Sequence, residues 1–353
     1  MGTDDFSIAG RIVGRTAPPF VVAEMSANHN QSFERALQIV DAAADAGAHA
    51  LKIQTYTADT LTLDVESDEF IISDENSLWS GRSLNSLYAE AHTPWEWHDA
   101  IFERARDRGM VPFSTPFDET AVDFLEELGA PCYKIGSFEN AHLPLIRKVA
   151  ATGKPLIMST GMATADIIAE AVDAACQAGC RELVLLKCTS TYPASPENCN
   201  LATIPDMRER FGLQVGLSDH TTGTGVAIAA VALGATVIEK HLTVSRADGG
   251  VDSAFSMEPA ELHALVVETE RAWQAMGTVT YGPTMSEKPS MQFRRSLYVA
   301  QDMCAGDVFT RENLRIVRPG LGLPPKHFDD LLGRRINRDA RKGTALSWDM
   351  VGG

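Results

Sequence analysis

The chain carries too little positive charge for a nucleic-acid-binding protein. Its 353 residues include 31 lysines and arginines against 47 aspartates and glutamates, for a formal net charge of −16. A surface that binds nucleic acid needs a basic face against the phosphates, so the composition argues against that class. An anionic small substrate would instead have to meet a locally positive pocket inside an acidic protein.

Signatures of membrane insertion, secretion, disulfides and zinc are also missing. The longest apolar run is VAIAAVALGATVI, which is shorter than the ~20 residues needed to cross a bilayer. The first residues, MGTDDFSIAG, lack the basic-then-apolar pattern of a signal peptide. The cysteines form no CxxC pair, so we expect reduced thiols rather than disulfide bonds or a zinc site. Together these absences predict a soluble, cytoplasmic protein.

What the sequence does contain is a strand followed by a helix, repeated eight times from residue 20 onward. The strand-like segments are FVVAEM, ALKIQTY, MVPFSTPF, CYKIGS, PLIMST, LVLLKCT, QVGLSDH and TVIEKHLT. Amphipathic helices separate them; in the first, Phe33, Leu37, Val40 and Ala44 share one face. This alternation predicts a (β/α)8 TIM barrel of the α/β class. A doubly wound open sheet is the alternative, but it often has a glycine-rich loop where this chain has AEMSANHN.

The alternation ends at Gly282 and Pro283. The remaining segment, which includes FRRSLYVAQDMCAGDVFTRENLRIVRPGLGLPP, has the pattern of short strands, turns and one helical turn. A tail of this size is small for a domain that must bury its own core, so we expect it to pack against the barrel or a second subunit. We predict a catalytic barrel domain at residues 1–284, and a linker with a small C-terminal domain at residues 285–353.

Polar side chains lie at the C-terminal ends of nearly all the predicted strands. They are Glu24, Lys52, Gln54, Ser114, Thr115, Lys134, Ser137, Ser159, Thr160, Tyr192, Asp219, His220, Glu239 and His241. One such residue would usually be a cap or a satisfied core group, but burying so many without a ligand would be unfavourable. Because TIM-barrel active sites form at this end of the strands, the pattern predicts an active site there.

Two lysines and several hydroxyls in this set predict an anion site. Lys52 in KIQTY and Lys134 in YKIGS each lie inside an apolar strand, where an unpaired charge would be unfavourable. The hydroxyls belong to Thr115, Ser137, Ser159 and Ser218. Ammonium and hydroxyl groups that converge in this way suit a compact anion such as a phosphorylated carboxylate.

The histidines in GLSDH and IEKH predict a metal site. Glu239 and His241 share one strand face by the two-residue period, and His220 ends the preceding strand. Two imidazoles and a nearby carboxylate, with positions left open, suit Mn²⁺, Fe²⁺ or Co²⁺. No HExxH motif is present, so a zinc protease has no support. His29, in SANHN after the first strand, is expected within reach of the site.

The order of these motifs resembles that of the sialic acid synthase family from about residue 18 to the end. The resemblance is carried by AEMSANHN, ALKIQTYTADTLT, FSTPFDETAVDFLEELGAPCYKIGSFE, STGMAT, KCTSTYPASPE, GLSDHT and IEKHLTVSRADGGVDSAFSMEP. The tail, with FRRSLY and VRPGLGL, resembles that family's antifreeze-like (SAF) domain. Within the family, SANHN, QTYTADTLT and KCTSTYP resemble the pseudaminic acid synthase branch. Lys187 and Ser190 stand where N-acetylneuraminate synthases usually have His and Asn.

The resemblance implies a phosphoenolpyruvate-dependent nonulosonic acid synthase, a transferase of the EC 2.5.1 type. Its reaction would be the metal-dependent condensation of phosphoenolpyruvate, 2,4-diacetamido-2,4,6-trideoxy-β-L-altropyranose and water. The products would be pseudaminic acid and phosphate, released by C–O cleavage. Mn²⁺ is the implied metal, with Mg²⁺ or Co²⁺ as alternatives, and a domain-swapped homodimer is the implied assembly. An N-acetylneuraminate or legionaminic acid synthase is the alternative within the family.

The resemblance also assigns roles to individual residues. Catalytic roles fall to Glu24, Lys52, Lys134 and Glu239, and metal binding to His220 and His241. Substrate binding falls to Gln54, Thr115, Ser137, Ser159, Ser190, Tyr192, Ser218, Phe293 and Arg318. Arg318 would reach the sugar from the partner subunit's tail. The domain-swapped dimer would also explain the small size of the tail, because its buried surface would come from the other chain's barrel.

Two other classes of protein stay open. A Schiff-base aldolase would use a strand lysine such as Lys187 as its nucleophile. A non-catalytic sugar-binding protein would bind the same ligands without releasing phosphate, although Lys52, Lys134, His220, Glu239 and His241 argue against it.

Overall fold

The computed structural model describes residues 5–65, 67–75 and 77–352. The chain forms two compact units, Met1–Gly277 and Thr278–Gly353. The predicted domain boundary after residue 284 stays a prediction. Within the described ranges, no helix is both long and apolar enough to cross a membrane. A cytoplasmic location stays a prediction.

A short antiparallel hairpin precedes the barrel in the first unit. It consists of β1 (Phe6–Ile8) and β2 (Arg11–Val13). Its buried residues Ile8 and Val13 join an apolar cluster with residues at the beginning of barrel strands, such as Phe20 and Val237. The hairpin therefore closes the N-terminal end of the barrel, which leaves the C-terminal end for a ligand.

Eight parallel strands within the described ranges close into the barrel. They are β3 (Phe20–Glu24), β4 (Ala50–Thr55), β5 (Val111–Pro116), β6 (Tyr133–Ile135), β7 (Leu156–Ser159), β8 (Leu183–Cys188), β9 (Gln214–Asp219) and β10 (Val237–His241). Each strand pairs with the next along the chain, and β10 pairs with β3 to close the ring. The predicted TIM barrel is confirmed, each predicted strand segment contains one of these strands, and the doubly wound sheet was the wrong alternative.

Helices follow the strands on the outside of the barrel. They are α1 (Phe33–Asp45), α4 (His98–Asp107), α5 (Glu119–Glu127), α6 (Leu143–Ala150), α7 (Ala165–Gln177), α8 (Thr203–Phe211), α9 (Gly225–Ala232) and α10 (Pro259–Met276). The connection from β4 to α4 contains two further helices, α2 (Ala58–Leu61) and α3 (Leu84–Ala91). Pro259 occupies the first turn of α10, a position that tolerates its missing N–H.

The buried face of α1 differs from the predicted one. Ser32 caps the helix by accepting a hydrogen bond from the Arg35 backbone N–H. The fully buried stripe consists of Ala36, Ile39, Val40 and Ala43. Phe33, predicted on this stripe, is 38% exposed. The buried face is therefore rotated relative to the predicted face. The small side chains of Ala36 and Ala43 on this face let the helix approach the barrel closely.

The two-residue period of the strands separates the interior of the barrel from the helix layer. In β3, Val21 and Ala23 pack in the outer core with the helices, whereas Phe20 and Val22 join the inner cluster. The same alternation directs Glu24, the last residue of β3, to the interior at the C-terminal end. The residues that end the inner faces of the strands therefore meet at the mouth of the barrel.

The second unit has a small core of its own. Its strands β11 (Ser296–Val299) and β12 (Leu314–Val317) are antiparallel, and α11 (Phe328–Leu331) follows them. Leu297, Phe309, Leu314, Ile336 and Leu346 belong to one buried apolar cluster. The short strands and helical turn predicted for the tail are present.

Four cysteines are buried as free thiols, as expected. They are Cys132, Cys180, Cys188 and Cys199.

Candidate active site

A cavity of about 530 Å³ opens at the C-terminal ends of the barrel strands. The predicted site residues that line it are Lys52, Gln54, Thr115, Lys134, Ser137, Ser159, Tyr192, Ser218, His220, Glu239 and His241. Its volume is in the range of small-molecule sites. The barrel thus brings residues from seven strands and the loops that follow them into one cavity.

Two lysines and two glutamates form a buried ion-pair cluster at one side of the cavity. Lys52 Nζ lies 2.6 Å from Glu24 Oε2 and 3.7 Å from Glu239 Oε1. Lys134 Nζ lies 3.1 Å from the same oxygen of Glu239. Strand register explains the first contact, because Glu24 of β3 lies opposite Lys52 of β4, whereas Lys134 of β6 reaches Glu239 of β10 across the interior of the barrel. Each lysine is almost fully buried and is balanced by carboxylates.

This cluster keeps Glu239 ionised. Burial alone would raise the pKa of Glu239, but the ammonium groups of Lys134 and Lys52 lower it to about 2. Burial would lower the pKa of Lys52, but Glu239 and Glu24 raise it above its ordinary value. Burial lowers the pKa of Lys134, with Glu239 acting against that shift. An anionic substrate would therefore compete with Glu239 for two ammonium groups already held in place.

Hydroxyl groups complete the anion-binding side. Lys52 Nζ donates to Thr115 Oγ1 at 3.2 Å, and Ser218 Oγ donates to Glu239 Oε1 at 3.2 Å. Ser159 Oγ is buried without a hydrogen-bond partner among the described residues. A buried hydroxyl without a partner is costly unless a ligand satisfies it.

Gly161 allows two serines to converge beside these groups. A Cβ at this position would lie 2.2 Å from Ser190 Oγ and 2.7 Å from Ser137 Oγ. The Gly161 backbone N–H donates to Ser137 Oγ at 3.1 Å. Any side chain at Gly161 would displace Ser190 or Ser137, so glycine here keeps both hydroxyls close to the anion-binding side.

The two predicted metal ligands lie next to each other at the ends of the neighbouring strands β9 and β10. The ring centroids of His220 and His241 are 5.3 Å apart, and Phe255 packs 5.0 Å from the His241 ring. His220 Nδ1 lies 3.0 Å from the Thr189 carbonyl oxygen, which fixes the ring and leaves Nε2 for another partner. His241 Nδ1 is buried and has no partner among the described residues.

This pair fits a divalent metal as two protein ligands. Burial and the charge of His220 lower the pKa of His241 well below its ordinary value, so this imidazole is neutral. Burial alone would lower the pKa of His220, but the contact with Cys188 raises it above its ordinary value. In the part of the chain that the structure describes, no group of three or more His, Cys, Asp or Glu residues could enclose a metal. Water and substrate would therefore supply the remaining ligands.

Ser26, Glu139 and Asp252 also line the cavity, although the sequence did not predict them as site residues. Ser26 has a φ of 44° and donates to Asp252, and Gln54 Nε2 donates to Ser26 Oγ at 3.1 Å. Burial raises the pKa of Asp252. Burial also raises the pKa of Glu139 to about 7, and its Oε2 has no hydrogen-bond partner among the described residues. All three follow strand ends on loops, beyond the positions that strand periodicity selects.

Some predicted residues lie elsewhere. Glu24 is fully buried beneath the cavity against Lys52. Phe293 and Arg318 belong to the second unit, where both are exposed. Lys187 donates to the Cys188 carbonyl oxygen and does not line the cavity, which removes support for the Schiff-base alternative. His29, expected near the site, is buried against Thr93 and Trp97, so that expectation was wrong.

Family models match both units. The NeuB family model matches residues 39–281, and the SAF domain model matches residues 294–352. The first match covers most of the barrel and includes Lys52, Lys134, His220, Glu239 and His241, whereas Glu24 lies before it. The second confirms the predicted SAF domain at the C-terminal end.

Curated relatives and a solved structure agree with these matches. The chain is 42% identical to the pseudaminic acid synthase of Campylobacter jejuni subsp. jejuni serotype O:2, over 93% of this chain and 95% of that protein. It is 40% identical to the pseudaminic acid synthase of Helicobacter pylori, over 95% and 98% of the two proteins. The crystal structure of the N-acetylneuraminic acid synthetase of Leptospira borgpetersenii, in complex with citrate, superposes with a TM-score of 0.73 at 31% identity. That match covers 83% of this chain and 96% of the other.

Proposed function

This chain belongs to the NeuB family, and from that premise we propose that it is a pseudaminic acid synthase. The reaction condenses phosphoenolpyruvate with 2,4-diacetamido-2,4,6-trideoxy-β-L-altropyranose and water, and it yields pseudaminic acid and phosphate. The proposal rests on two sets of groups in one cavity. The ammonium groups of Lys52 and Lys134 share the Glu239 carboxylate, and the imidazole rings of His220 and His241 lie beside them. The first set suits a phosphorylated carboxylate and the second suits a sugar aldehyde.

Phosphoenolpyruvate would occupy the side of the cavity with the lysines. Its carboxylate and phosphate would take hydrogen bonds from Lys52 and Lys134, which are already held in place, so little reorganisation is needed. The hydroxyl ligands on this side would be Thr115, Ser137, Ser159, Ser190 and Ser218, together with the amide of Gln54. Ser159 supports this assignment because its buried hydroxyl has no other partner among the described residues.

The sugar would occupy the side with the histidines. His220 and His241 would hold a divalent metal, for which we propose Mn²⁺, with Co²⁺ and Mg²⁺ as alternatives. When bound, the metal supplies Lewis acidity at the aldehyde oxygen of the open-chain sugar. Tyr192 packs 4.5 Å from the His220 ring and lines the same side, where it can contact the sugar. Asp252 and Glu139 offer further hydrogen-bonding groups to the sugar's amide and hydroxyl groups.

The chain's own residues guide each bond change. The lysines hold phosphoenolpyruvate with C3 directed at the aldehyde carbon. As the C–C bond forms between these atoms, the C2=C3 and C=O π bonds break, the aldehyde oxygen takes a proton from solvent, and C2 becomes an electrophilic oxocarbenium carbon. Water then adds at C2, oriented by Glu239, which accepts its proton. Finally the C2–O bond to phosphate breaks, the C2 hydroxyl becomes the ketone, and its proton leaves with phosphate. Once substrate anions pair with Lys52 and Lys134, Glu239 loses part of the charge that keeps its pKa near 2, and it becomes a better base.

We also propose that the enzyme acts as a domain-swapped homodimer. Arg318 and Phe293, both exposed in the second unit, would complete the sugar site of the partner subunit. A legionaminic or N-acetylneuraminate synthase stays the alternative within the family. The pseudaminic branch is supported by relatives at 40% and 42% identity that bear that name.

Labelled water tests the bond that breaks. Phosphoenolpyruvate, the metal and a panel of diacetamido and N-acetyl hexoses are incubated in ¹⁸O water, with phosphate release as the readout. We expect turnover with the trideoxy-altrose sugar, and the label in the sugar acid but not in phosphate. Label in phosphate would rule out C–O cleavage, and turnover only with another sugar would reassign the branch.

Histidine variants test the metal site separately. We expect His220→Ala and His241→Ala to retain the fold by circular dichroism, to bind much less Mn²⁺ in equilibrium dialysis and to lose turnover. His142→Ala, an exposed histidine before α6, is the matched control and should behave as wild type. Undiminished activity of either active-site variant in excess chelator would contradict the metal assignment.

A further inference from the structure

One side of the cavity is built almost entirely of apolar and aromatic side chains. The connection between β4 and α4 contributes eight of them, including Tyr56 and Ala91, and the other six are called here the apolar wall. They are Leu61, Ile72, Trp79, Leu84, Leu87 and Tyr88. No residue of the mechanism described above lies on this wall, although it lines the same cavity. A site for an ordinary hexose would instead need hydrogen-bonding groups for hydroxyls on every side.

The wall is held in a fixed position. The Trp79 indole N–H donates to the Val251 carbonyl oxygen at 3.0 Å, and its ring packs 5.8 Å from that of Tyr192. Backbone hydrogen bonds join Ile72 to its neighbours, with Gly81 N–H donating to Ile72 O at 2.7 Å and Ile72 N–H donating to Arg82 O at 2.9 Å. The wall is therefore anchored to the β10–α10 connection and braced by its own turn.

The wall has two polar side-chain groups, the Trp79 indole N–H and the Tyr88 hydroxyl, and its other side chains, Leu61, Ile72, Leu84 and Leu87, are apolar. The Trp79 N–H is already engaged by Val251. Ile72 and Leu84 are half-buried and reach the cavity through methyl groups alone. A sugar hydroxyl turned toward these two residues would lose its water without gaining a partner, whereas a methyl group would gain apolar contact.

We infer that the apolar wall selects acceptor sugars by their methyl groups, those of the acetamido substituents and of the deoxygenated C6. This inference rests on the proposed function and adds to it the surface that distinguishes the diacetamido-trideoxyhexose from more hydroxylated hexoses. Discrimination arises from two opposite effects at the same surface. Methyl groups are favoured by burial against the wall, and hydroxyls at the same positions are penalised by unpaired desolvation.

Leu84→Asn tests the wall because it keeps the side-chain size and adds hydrogen-bonding atoms. The acceptors are the diacetamido-trideoxyhexose and two analogues, one with a hydroxyl at C4 and one with a hydroxymethyl group at C5 in place of the methyl. For Leu84→Asn we expect kcat/KM with the diacetamido-trideoxyhexose to fall roughly 10- to 100-fold. We expect a smaller fall with at least one analogue and an unchanged KM for phosphoenolpyruvate.

The matched control is Leu78→Asn, an exposed leucine of the same connection outside the cavity, which should match wild type. If circular dichroism shows that Leu84→Asn is unfolded, Ile72→Thr takes its place with the same expectation. The inference would be overturned if kcat/KM of Leu84→Asn fell by the same factor with all three sugars. It would also be overturned if the wild type had the same kcat/KM with all three. Absence of wild-type turnover with every sugar would instead reject the proposed function.

Discussion

At the residue scale, Glu239 connects the two sides of the cavity, because its carboxylate contacts both lysines and it lies on the same strand as His241. Its Oε1 lies 3.1 Å from Lys134 Nζ and 3.7 Å from Lys52 Nζ, and it accepts a hydrogen bond from Ser218. A carboxylate in this position serves two purposes. It balances the buried ammonium groups of Lys52 and Lys134, and in the proposed mechanism it would become available to water when substrate anions replace it.

Glu239→Gln should separate these two purposes. The amide keeps the shape but cannot take a proton, so kcat should fall about 100-fold or more. Because both lysines lose a competing negative charge, KM for phosphoenolpyruvate should stay the same or decrease. Steady-state phosphate release measures both constants, with the exposed Glu209→Gln as control. A wild-type kcat with a higher KM for phosphoenolpyruvate would show that Glu239 only assists binding.

Glu139 should make stability depend on pH. Burial raises its pKa from 4.5 to about 7, so the folded protein holds this proton where the unfolded chain has already released it. Protonated Glu139 therefore contributes its full share to the free energy of unfolding below about pH 4.5. As the pH rises to about 7, this share is lost, and the free energy of unfolding falls by at most about 3 kcal/mol.

Urea denaturation of wild type and Glu139→Gln at several pH values measures this contribution. The amide stays neutral, so the variant should gain stability relative to wild type between about pH 4.5 and 7, with no further change above. Glu209→Gln should show a constant difference from wild type. A difference between Glu139→Gln and wild type that does not vary with pH would refute the assignment.

At the element scale, a buried ion pair joins the ends of β9 and β10 next to the proposed metal ligands His220 and His241. Lys240 Nζ lies 2.8 Å from Asp219 Oδ2 and also donates to the Thr221 carbonyl oxygen. Asp219 precedes His220 and Lys240 precedes His241, so this pair aligns the two histidines. Both side chains are 1% exposed, which makes the loss of one partner costly.

Lys240→Met should lower the free energy of unfolding by about 3–5 kcal/mol, because it leaves Asp219 buried without its partner. The double variant Lys240→Met with Asp219→Asn should be less destabilised than Lys240→Met alone, since no buried charge remains. Chemical denaturation measures both. Arg210→Met, which breaks the exposed Arg210–Asp206 pair of α8, should change stability by less than about 1 kcal/mol. Additive effects of the two core substitutions would argue against a coupled pair.

The elements also separate what the sequence could predict from what it could not. Periodicity located all the barrel strands, because a buried parallel strand is a short apolar run that ends in polar residues. It therefore also located Lys52, Lys134, His220, Glu239 and His241. It could not locate Ser26, Glu139 and Asp252, because these lie on loops whose course depends on contacts distant in sequence, such as Ser26 with Asp252. For the same reason, the apolar wall between β4 and α4 had no sequence signal.

At the scale of the whole molecule, the barrel and the second unit each bury an apolar core. From its length, the tail was expected to be too small to bury a core of its own. The structure shows such a core, because short strands and turns pack more closely than chain length alone indicates. The proposed domain swap gives the tail a catalytic purpose, the delivery of Arg318 to the partner subunit's cavity.

Heterodimers with one defect in each unit can test the swap. One chain carries Arg318→Ala and the other His241→Ala, each with a different affinity tag, and two-step purification isolates the mixed dimer. In a swapped dimer, one site combines an intact barrel with an intact tail, so activity should be about half that of wild type. If each site used its own tail, both sites would be defective and activity would be lost.

The reciprocal heterodimer carries both substitutions on one chain and none on the other. Swapping now places one defect in each site, so this dimer should be inactive, whereas unswapped subunits would retain about half of the activity. The two dimers contain the same substitutions in the same number, and only their distribution differs. Equal activity of the two heterodimers would therefore refute the swapped dimer, however much each substitution impairs a site. It would also be refuted if the two-step purification yielded no protein that carries both tags.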